Sequence, residues 1–315
     1  MIRQKRVSPL VGRAAAAGAL ALAIGVGSAH AAVIVSDSFV TGGTPEYTAG
    51  DRLGDASGNP TGFDGGWAHK VGNVASSVDL RISGTGLTHA GVDSSGGSIE
   101  SYRNGTAGSS QGLLYTTNTL TGAPQVTPGT DVYFSALVNL NAGILGGVGV
   151  EFKGREMFGV GIDEDGHGVI YLSSSNTTAF AEIAETVGTY TADTTYLVVG
   201  KMVGVSGGLS GDAETIELVG IYASGDALVE GASLLSSASD VYYPSDATNV
   251  SGNVTGQTVQ RAGAFLGKSL GDVDGRLDEI RLGTSFEDVV VIPEPGAMAL
   301  VAFGALSMFA RPKKS

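Results

Sequence analysis

Short runs of alternating or β-branched residues dominate the chain between residues 32 and 290. Valine, isoleucine, threonine and tyrosine recur in these runs, and glycine, serine, asparagine or aspartate separates one run from the next. Runs of this kind, bounded by turn residues, are typical of β-strands. About eleven strands are predicted, at Val33–Phe39, Ser77–Gly84, Gly112–Asn118, Asp131–Leu140, Gly147–Gly154, Met157–Ser174 (a hairpin turning at DEDGHG, 163–168), Thr195–Gly204, Glu214–Ser224, Ala262–Lys268 and Arg276–Phe286.

The pattern predicts one all-β domain over residues 32–290, built as a sandwich or barrel. No long helical period follows the N-terminal segment, and only EIAETVG (182–188) has the look of a helical turn. In RLDEIRLG, Ile280 and Leu282 alternate with polar residues from Glu279 on, which predicts one face toward the core and one toward water. No repeat of fixed period is present, which disfavours a propeller or a solenoid.

The N-terminal residues have the pattern of a secretory signal peptide. Four basic residues precede an apolar run from Ala14 to Gly27, and Ala29-His30-Ala31 fits the small-x-small cleavage site. A basic region, a short apolar region and such a site together define a signal helix that signal peptidase removes. We therefore expect residues 1–31 to be removed after Ala31.

The C-terminal residues contain a second apolar segment. Pro293-Glu294-Pro295 is followed by the uncharged stretch 296–310, and a basic tail begins at Arg311. A comfortable membrane span needs about 20 residues, so 296–310 is predicted to be a short transmembrane helix. The basic residues after it favour a cytoplasmic end, with the main domain on the outer side of the membrane.

Residues 291–315 resemble a PEP-CTERM sorting signal, which combines a Pro-Glu-Pro triplet, an apolar segment and an Arg-led basic end. The resemblance implies recognition by an exosortase, a transpeptidase-like membrane enzyme of Gram-negative bacteria that make exopolysaccharide. The protein would be anchored transiently in the inner membrane and then reach the cell envelope, the cell surface or the extracellular matrix. The alternative is an ordinary C-terminal anchor, which also exports the domain.

The charge of the exported region excludes one class of partner. All 31 Asp and Glu residues lie between Ala32 and Pro295. Seven of the 18 Lys and Arg residues lie in the terminal segments, so 11 basic residues remain between Ala32 and Pro295, and the formal charge there is −20. Such a field repels phosphate backbones, so we expect no nucleic-acid partner. The chain has no cysteine, so the core alone must hold the fold.

The order of the strand motifs resembles that of concanavalin A-like, laminin-G-like jelly rolls. The resemblance is carried by DSFVTGGTPEYTAGDRLGD and GFDGGWAH near the start, by DVYFSALVNL and TYLVVGKMV in the middle, and by LDEIRLGTSFEDVV at the end. It covers nearly all of residues 32–290. It implies an antiparallel jelly-roll sandwich of two sheets, each of about six or seven strands, with the first and last strands adjacent.

Calcium is the cofactor that the composition favours, because this cation takes oxygen ligands from acidic residues and carbonyl groups. Jelly rolls of the resembled class often hold one structural Ca²⁺ between the first and last strands, which implies Asp37 and Asp278 as ligands. A second candidate set is Asp272, Asp274 and Asp278 in GDVDGRLDE, although its spacing departs from the EF-hand loop. The alternative for all four residues is that they are ordinary turn acids.

Trp67, the only tryptophan, is a candidate ligand contact. It lies among glycines in GFDGGWAH, and an aromatic face can stack on a sugar ring. In the resembled family this stretch more often packs under the first strands. Tyr102, Tyr242 and Tyr243 lie in segments with a loop-like pattern and are further candidate contacts.

The sequence favours a binding protein over an enzyme. Enzymes of the resembled fold are mostly glycoside hydrolases, and the Glu-x-Asp-x-x-Glu strand motif of the laminarinase type does not occur here. Glu151 and Glu156 are separated by a glycine in the pattern of a hairpin. We predict a non-catalytic module that binds polysaccharide or another envelope component. The alternatives are a glycoside hydrolase or other polysaccharide-modifying enzyme, and a purely structural matrix protein.

Replacing Pro293-Glu294-Pro295 by three alanines tests the sorting prediction. We expect the variant to lose processing and release in an exosortase-containing host, because the triplet is part of the resembled signal. Immunoblots of membrane and culture fractions measure both steps. Unchanged processing and release would mean that the tail is only an anchor.

Overall fold

The computed structural model of the 315-residue chain describes fourteen stretches of it. They are residues 35–41, 47–53, 66–71, 78–90, 92, 96–103, 113–117, 131–152, 156–174, 180–203, 215–230, 241–242, 259–267 and 275–290. The chain divides into two units, Met1–Ala31 and Ala32–Ser315, and every described residue belongs to the second.

The described chain is built from β-strands and one short helix. The strands are β1 Val35–Asp37, β2 Trp67–Val71, β3 Val78–Ser83, β4 Ser98–Arg103, β5 Leu113–Thr117, β6 Val132–Leu140, β7 Leu145–Phe152, β8 Glu156–Ile162, β9 His167–Ser174, β10 Phe180–Thr189, β11 Thr195–Val203, β12 Thr215–Ala223, β13 Val241–Tyr242, β14 Val259–Gly267 and β15 Gly275–Gly283; the helix α1 is Phe286–Val290.

The strands form two antiparallel sheets. The eight-stranded sheet has the order β13-β12-β11-β6-β15-β4-β3, with β1 also pairing with β15, and the seven-stranded sheet has the order β10-β9-β8-β7-β14-β5-β2. In β1, Val35, Ser36 and Asp37 lie opposite Leu282, Arg281 and Ile280 of β15. The predicted all-β jelly-roll sandwich is therefore confirmed, and so is the expected contact between the first and last strands.

Every predicted strand coincides with an observed one, but three other predictions about local structure were wrong. EIAETVG lies within β10, an edge strand that pairs with β9 through two register shifts, and is not a helical turn. Tyr102 and Tyr242 lie in strands β4 and β13, not in loops, opposite Asp79 and Glu217. In each case pairing with a neighbouring strand decides the conformation of the segment. This pairing cannot be read from the local sequence pattern.

The main core lies between the two sheets. Phe134 of β6, in the eight-stranded sheet, and Val160 of β8, in the seven-stranded sheet, both belong to this buried cluster. Gly200 of β11 leaves room for them, because a Cβ there would lie 2.5 Å from the Phe134 ring and 2.8 Å from a Val160 methyl group. The close approach of the sheets at this point thus requires a glycine.

A second apolar layer covers the outer face of the eight-stranded sheet. It contains Leu137 and Val199 from the sheet and Phe286, Val289 and Val290 from helix α1. The prediction that β15 exposes its polar face to water was therefore wrong: the strand is central in its sheet, and all its described side chains but one are buried.

A β-bulge lets β15 place its apolar residues on one side. Leu277 and Ile280 both belong to the main core, although residues three apart in a regular strand point to opposite faces. The register of β15 against β6 shifts between Asp278 and Arg281, and Glu279 has a φ of 50°. The extra residue resets the alternation, as bulges do.

Replacing Phe134 by alanine tests the position of the main core. Phe134 is fully buried, and removal of a buried phenylalanine side chain typically costs about 3–5 kcal/mol of unfolding free energy. Val229→Ala is the control, since Val229 is 56% exposed and its truncation should change the unfolding free energy by less than about 0.5 kcal/mol. Urea denaturation measures both; similar small losses would contradict the assigned core.

Candidate functional site

Three carboxylates are buried where β1 meets β15. Asp37 ends β1, and Asp278 and Glu279 form the bulge of β15. Their exposed fractions are 4%, 0% and 2%. We call these three residues the seam cluster. Charged groups this deep in a protein need partners, because burial without them costs several kcal/mol.

Asp37 has a complete set of hydrogen-bond donors. Its Oδ2 accepts from the Tyr47 hydroxyl at 2.6 Å and from the Trp67 indole N–H at 2.8 Å. Its Oδ1 accepts from the Phe39 backbone N–H at 2.9 Å. The Phe39 ring lies against both aromatic donors, with centroids 5.7 Å and 6.0 Å apart. The carboxylate therefore ties three aromatic residues to the end of β1.

Asp278 and Glu279 are held in the same way from the other strand. Asp278 accepts from the backbone N–H groups of Leu87 and Glu279, both at 2.8 Å. Glu279 accepts from Arg281 at 2.7 Å and from the Ser38 hydroxyl at 3.2 Å. The Ser38 contact crosses between β15 and the residue that follows β1.

Asp37 and Asp278, which the resemblance implies as calcium ligands, both accept hydrogen bonds from groups of the protein. Calcium takes six to eight oxygen ligands and competes with hydrogen-bond donors for carboxylate lone pairs. Here N–H and O–H groups of the protein donate to both residues, whereas Arg281 pairs with Glu279. Within the described residues, no group of three or more His, Cys, Asp or Glu side chains is placed to hold a metal ion.

Burial changes the acidity of both aspartates. Burial raises the pKa of Asp37 to about 6, against the opposing effect of its hydrogen bonds from Trp67, Tyr47 and Phe39. Burial likewise raises the pKa of Asp278 to about 8, although the N–H of Leu87 stabilises the charged form. The repulsion of Glu279 adds to the rise for both residues. Asp37 and Asp278 therefore retain protons that exposed carboxyl groups would lose.

A cavity of about 100 Å³ lies among three turns. The turns connect β6 to β7, β8 to β9, and β10 to β11. We call this cavity the three-turn pocket. Its lining residues are Leu140, Asn141, Ala142, Gly143, Ile144, Ile162, Asp163, Glu164, Asp165, Gly166, Tyr190, Thr191, Ala192, Thr194 and Tyr196.

Backbone hydrogen bonds join the three turns to one another. The Tyr190 N–H donates to the Gly166 carbonyl at 2.6 Å, and the Asp193 N–H donates to the Leu140 carbonyl at 2.7 Å. Gly166 has a φ of 87°, and a Cβ there would lie 2.8 Å from the Tyr190 carbonyl oxygen. A glycine is needed at this contact, where the second turn meets the third.

The pocket combines an aromatic pair with polar groups. The rings of Tyr190 and Tyr196 meet edge to face, with centroids 5.1 Å apart and planes at 74°. The Tyr196 hydroxyl accepts from the Thr191 N–H at 3.1 Å, which fixes the ring relative to the third turn. Asp165 is exposed and Glu164 is half-buried. Tyr190 and Tyr196 are 9% and 7% exposed, so the pocket is lined by two largely buried aromatic residues next to carboxylate acceptors.

Asp163 shapes the middle turn. Its Oδ1 accepts from the N–H groups of Asp165 at 2.9 Å and His167 at 2.7 Å, and its Oδ2 lies 3.5 Å from the His167 ring. This is the side-chain-to-backbone pattern that stabilises tight turns. The predicted hairpin at DEDGHG is therefore confirmed, and its tip forms part of the pocket wall.

Sequence reasoning missed this pocket, because its residues come from three separated segments. The available signal was TYTADTTY (189–196), in which two tyrosines flank a turn of small polar residues. Nothing in the sequence shows that this turn meets DEDGHG and NAGI (141–144). Only the strand order brings the three turns together.

The site residues predicted from the sequence do not all come together in one site of the described structure. Trp67 is buried and donates to Asp37, so its ring is packed in the core, as the structural alternative had it, and has no exposed face for a sugar. The side chains of Tyr102 and Tyr242 lie outside the described part of the structure. The other predicted residues that lie outside it are Ala29, Ala31, Tyr243, Asp272, Asp274, Pro293, Glu294, Pro295 and Arg311. Glu156 lies opposite Phe152 at the end of the β7–β8 pairing, as the predicted hairpin requires.

Among the described residues, no helix has both the length and the apolar character needed to cross a membrane. The predicted segment 296–310 lies outside those residues.

Comparison with known proteins gives likenesses of fold only. No family model and no curated protein matches the chain. The carbohydrate-binding module CBM66 from Bacillus subtilis is similar at 10% identity and a TM-score of 0.34, over 69% of this chain and 94% of that one. The T. cruzi calreticulin globular domain is similar at 11% identity and a TM-score of 0.41, over 77% and 94%. The marine PL-14 alginate lyase from Aplysia kurodai is similar at 9% identity and a TM-score of 0.41, over 67% and 88%. Likenesses this distant assign no ligand or activity.

The raised pKa values of Asp37 and Asp278 predict how stability depends on pH. A carboxyl group whose pKa is higher in the folded than in the unfolded state stabilises the fold fully below its unfolded pKa, near 4, and this stability is lost as pH rises through the folded pKa. The loss is therefore expected between pH 4 and pH 8, through about 6 for Asp37 and about 8 for Asp278.

Asp278→Asn isolates this effect, because asparagine cannot ionise. We subtract the unfolding free energy of the variant from that of the original protein at each pH. Between pH 4 and pH 8 this difference should fall by more than about 1.4 kcal/mol, the equivalent of one pKa unit. Denaturant titrations at several pH values measure the difference, and Asp51→Asn, at an exposed position, is the control. A difference that increases with pH would mean that charged Asp278 stabilises the fold.

Proposed function

We propose that this protein is an exported carbohydrate-binding module, and that the three-turn pocket is its binding site. The observation that carries the proposal is a preformed cavity that pairs Tyr190 and Tyr196 with a polar wall. Binding sites of this kind combine apolar and aromatic lining with a few polar groups of fixed position.

The lining suits the chemistry of a sugar. Hydroxyl groups of a sugar ring both donate and accept hydrogen bonds, whereas its C–H faces pack against aromatic rings. Asn141 supplies an amide, Thr191 and Thr194 supply hydroxyl groups, and Glu164 and Asp165 supply carboxylate acceptors. Each kind of contact that a sugar needs is therefore represented in the lining.

The size of the pocket favours a small part of a polysaccharide. Its volume of about 100 Å³ is below the roughly 300–1,000 Å³ of sites that enclose drug-sized ligands. A single terminal unit or side branch fits this space better than an enclosed oligosaccharide. Because the backbone contacts already fix the turns, little conformational entropy is lost on binding.

The acidic residues of the pocket support binding rather than hydrolysis. Glycoside hydrolases place two carboxyl groups on opposite sides of the scissile bond, about 5–5.5 Å or 6.5–9.5 Å apart. Glu164 and Asp165 are neighbours on one turn, and one oxygen of Asp163 is occupied by backbone N–H groups. We therefore favour a non-catalytic role over the polysaccharide-modifying alternative.

The terminal segments supply the proposed biological setting. A signal peptide at 1–31 and a PEP-CTERM-like tail at 291–315 would deliver the domain to the cell envelope or the exopolysaccharide matrix, with signal peptidase and exosortase as transient partners. A sugar-binding pocket would then attach the exported protein to the matrix. A purely structural matrix protein would have the same terminal segments but no saturable ligand.

Calorimetric titration of the purified protein with the exopolysaccharide of its host tests the proposal. Saturable binding is expected, and Ala142→Trp should weaken it at least about tenfold, the equivalent of 1.4 kcal/mol, because the indole would fill the pocket from an exposed lining position. The control is Ala227→Trp, at an exposed position outside the pocket.

Two further outcomes are informative. Equal binding with calcium and with chelator is expected, given the donors around Asp37 and Asp278. Absence of saturable binding would overturn the proposed function and favour the structural alternative. Full binding by Ala142→Trp would place the sugar site elsewhere on the domain.

A further inference from the structure

We infer that the three-turn pocket selects a sugar unit that carries an amino group, protonated at neutral pH, and rejects acidic sugars. This inference rests on the proposed function and specifies its ligand class. It is carried by the composition of the pocket wall, in which acidic side chains stand beside the aromatic pair without a basic side chain.

The wall has charge of one sign. Three of its fifteen residues, Asp163, Glu164 and Asp165, are acidic, and none of the fifteen is lysine, arginine or histidine. Asp193 adds a fourth, exposed carboxylate in the third turn, next to the lining residues Ala192 and Thr194. His167, on the outgoing strand of the hairpin, is not a lining residue, and its ring Nδ1 lies 3.5 Å from the Oδ2 of Asp163.

The carboxylates have distinct positions. Asp163 is buried and turns its Oδ1 toward backbone N–H groups, so it contributes negative charge and a fixed turn more than a direct contact. Asp165 is exposed and Glu164 is half-buried, and both line the cavity. Glu164 and Asp165 are thus the acidic lining residues whose side chains are not buried. We therefore assign the selectivity to Glu164 and Asp165.

Charge decides between sugars of the same shape. An ammonium group donates three hydrogen bonds and is attracted by carboxylates, more strongly in a partly enclosed cavity than in bulk water. A uronic acid in the same place would bring like charges together, which opposes binding. An N-acetylated or neutral sugar gains neither effect. The preference should also weaken with salt, since ions screen charges near the surface.

The test compares four oligosaccharides of equal length: glucosamine oligomers, their N-acetylated forms, glucose oligomers and galacturonate oligomers. Titrations of the purified full chain should give at least about tenfold tighter binding of the amine than of the acetylated form, the equivalent of 1.4 kcal/mol, and no binding of the galacturonate. The double variant Glu164→Gln with Asp165→Asn should lose this preference, and high salt should reduce it.

Two controls separate pocket selectivity from general attraction to an acidic protein. Glu287→Gln removes an exposed charge from α1, outside the pocket lining, and should keep the preference. Ala142→Trp blocks the pocket and should abolish it. A preference that persists in Ala142→Trp, or in the double variant, would overturn the inference.

The remaining outcomes distinguish the inference from the function it rests on. Equal affinity for amine, acetylated and neutral oligomers, lost in Ala142→Trp, would overturn the charge selectivity and support the sugar-binding pocket. Tightest binding of the galacturonate, lost in Ala142→Trp, would also overturn the charge selectivity and support the sugar-binding pocket. No binding of these oligomers or of the host exopolysaccharide would overturn both.

Discussion

The pairing of β1 with β15 brings together parts of the chain that are far apart in sequence, and the hydrogen bond between Ser38 and Glu279 spans 241 positions. At this seam the fold buries three carboxylates and satisfies them with aromatic, backbone and guanidinium donors. Removing one donor would leave a buried acceptor without a partner, which costs about 1–3 kcal/mol. The orientation of Trp67 and Tyr47 depends on this arrangement.

The sandwich that the seam closes also sets the place of the pocket. Strands β6 and β11 pair in the eight-stranded sheet, whereas β7, β8, β9 and β10 run consecutively in the other. The β6–β7 and β10–β11 turns therefore cross from one sheet to the other, and the β8–β9 turn stays within the seven-stranded sheet. The backbone hydrogen bonds of Tyr190 and Asp193 join these turns without any disulfide, in a chain that has no cysteine.

The strands could be predicted from the sequence where their formation depends on the local pattern of residues. Runs such as DVYFSALVNL and TYLVVGKMV identified β6 and β11, because β-branched and aromatic residues between turn signals have few other stable states. The errors arose where pairing with a distant part of the chain decides the conformation or the burial. EIAETVG forms part of β10, Tyr102 and Tyr242 lie in β4 and β13, and the polar face of β15 is buried under α1. The site was hidden for the same reason, since Tyr190, Asn141 and Asp165 share no local motif. The family resemblance implied that Asp37 and Asp278 lie together, but their chemistry depends on donors from Tyr47, Trp67 and Leu87, which no spacing reveals.

The central position of β15 has a consequence for how the domain is made. This strand lies between β6 and β4, so the eight-stranded sheet lacks an interior member until the last part of the domain has left the ribosome. Contacts of such long sequence separation form slowly, because the entropy of closing the chain is lost before pairing compensates for it. The eight-stranded sheet is therefore expected to close only once β15, its last strand in sequence, is available to pair with β6 and β4.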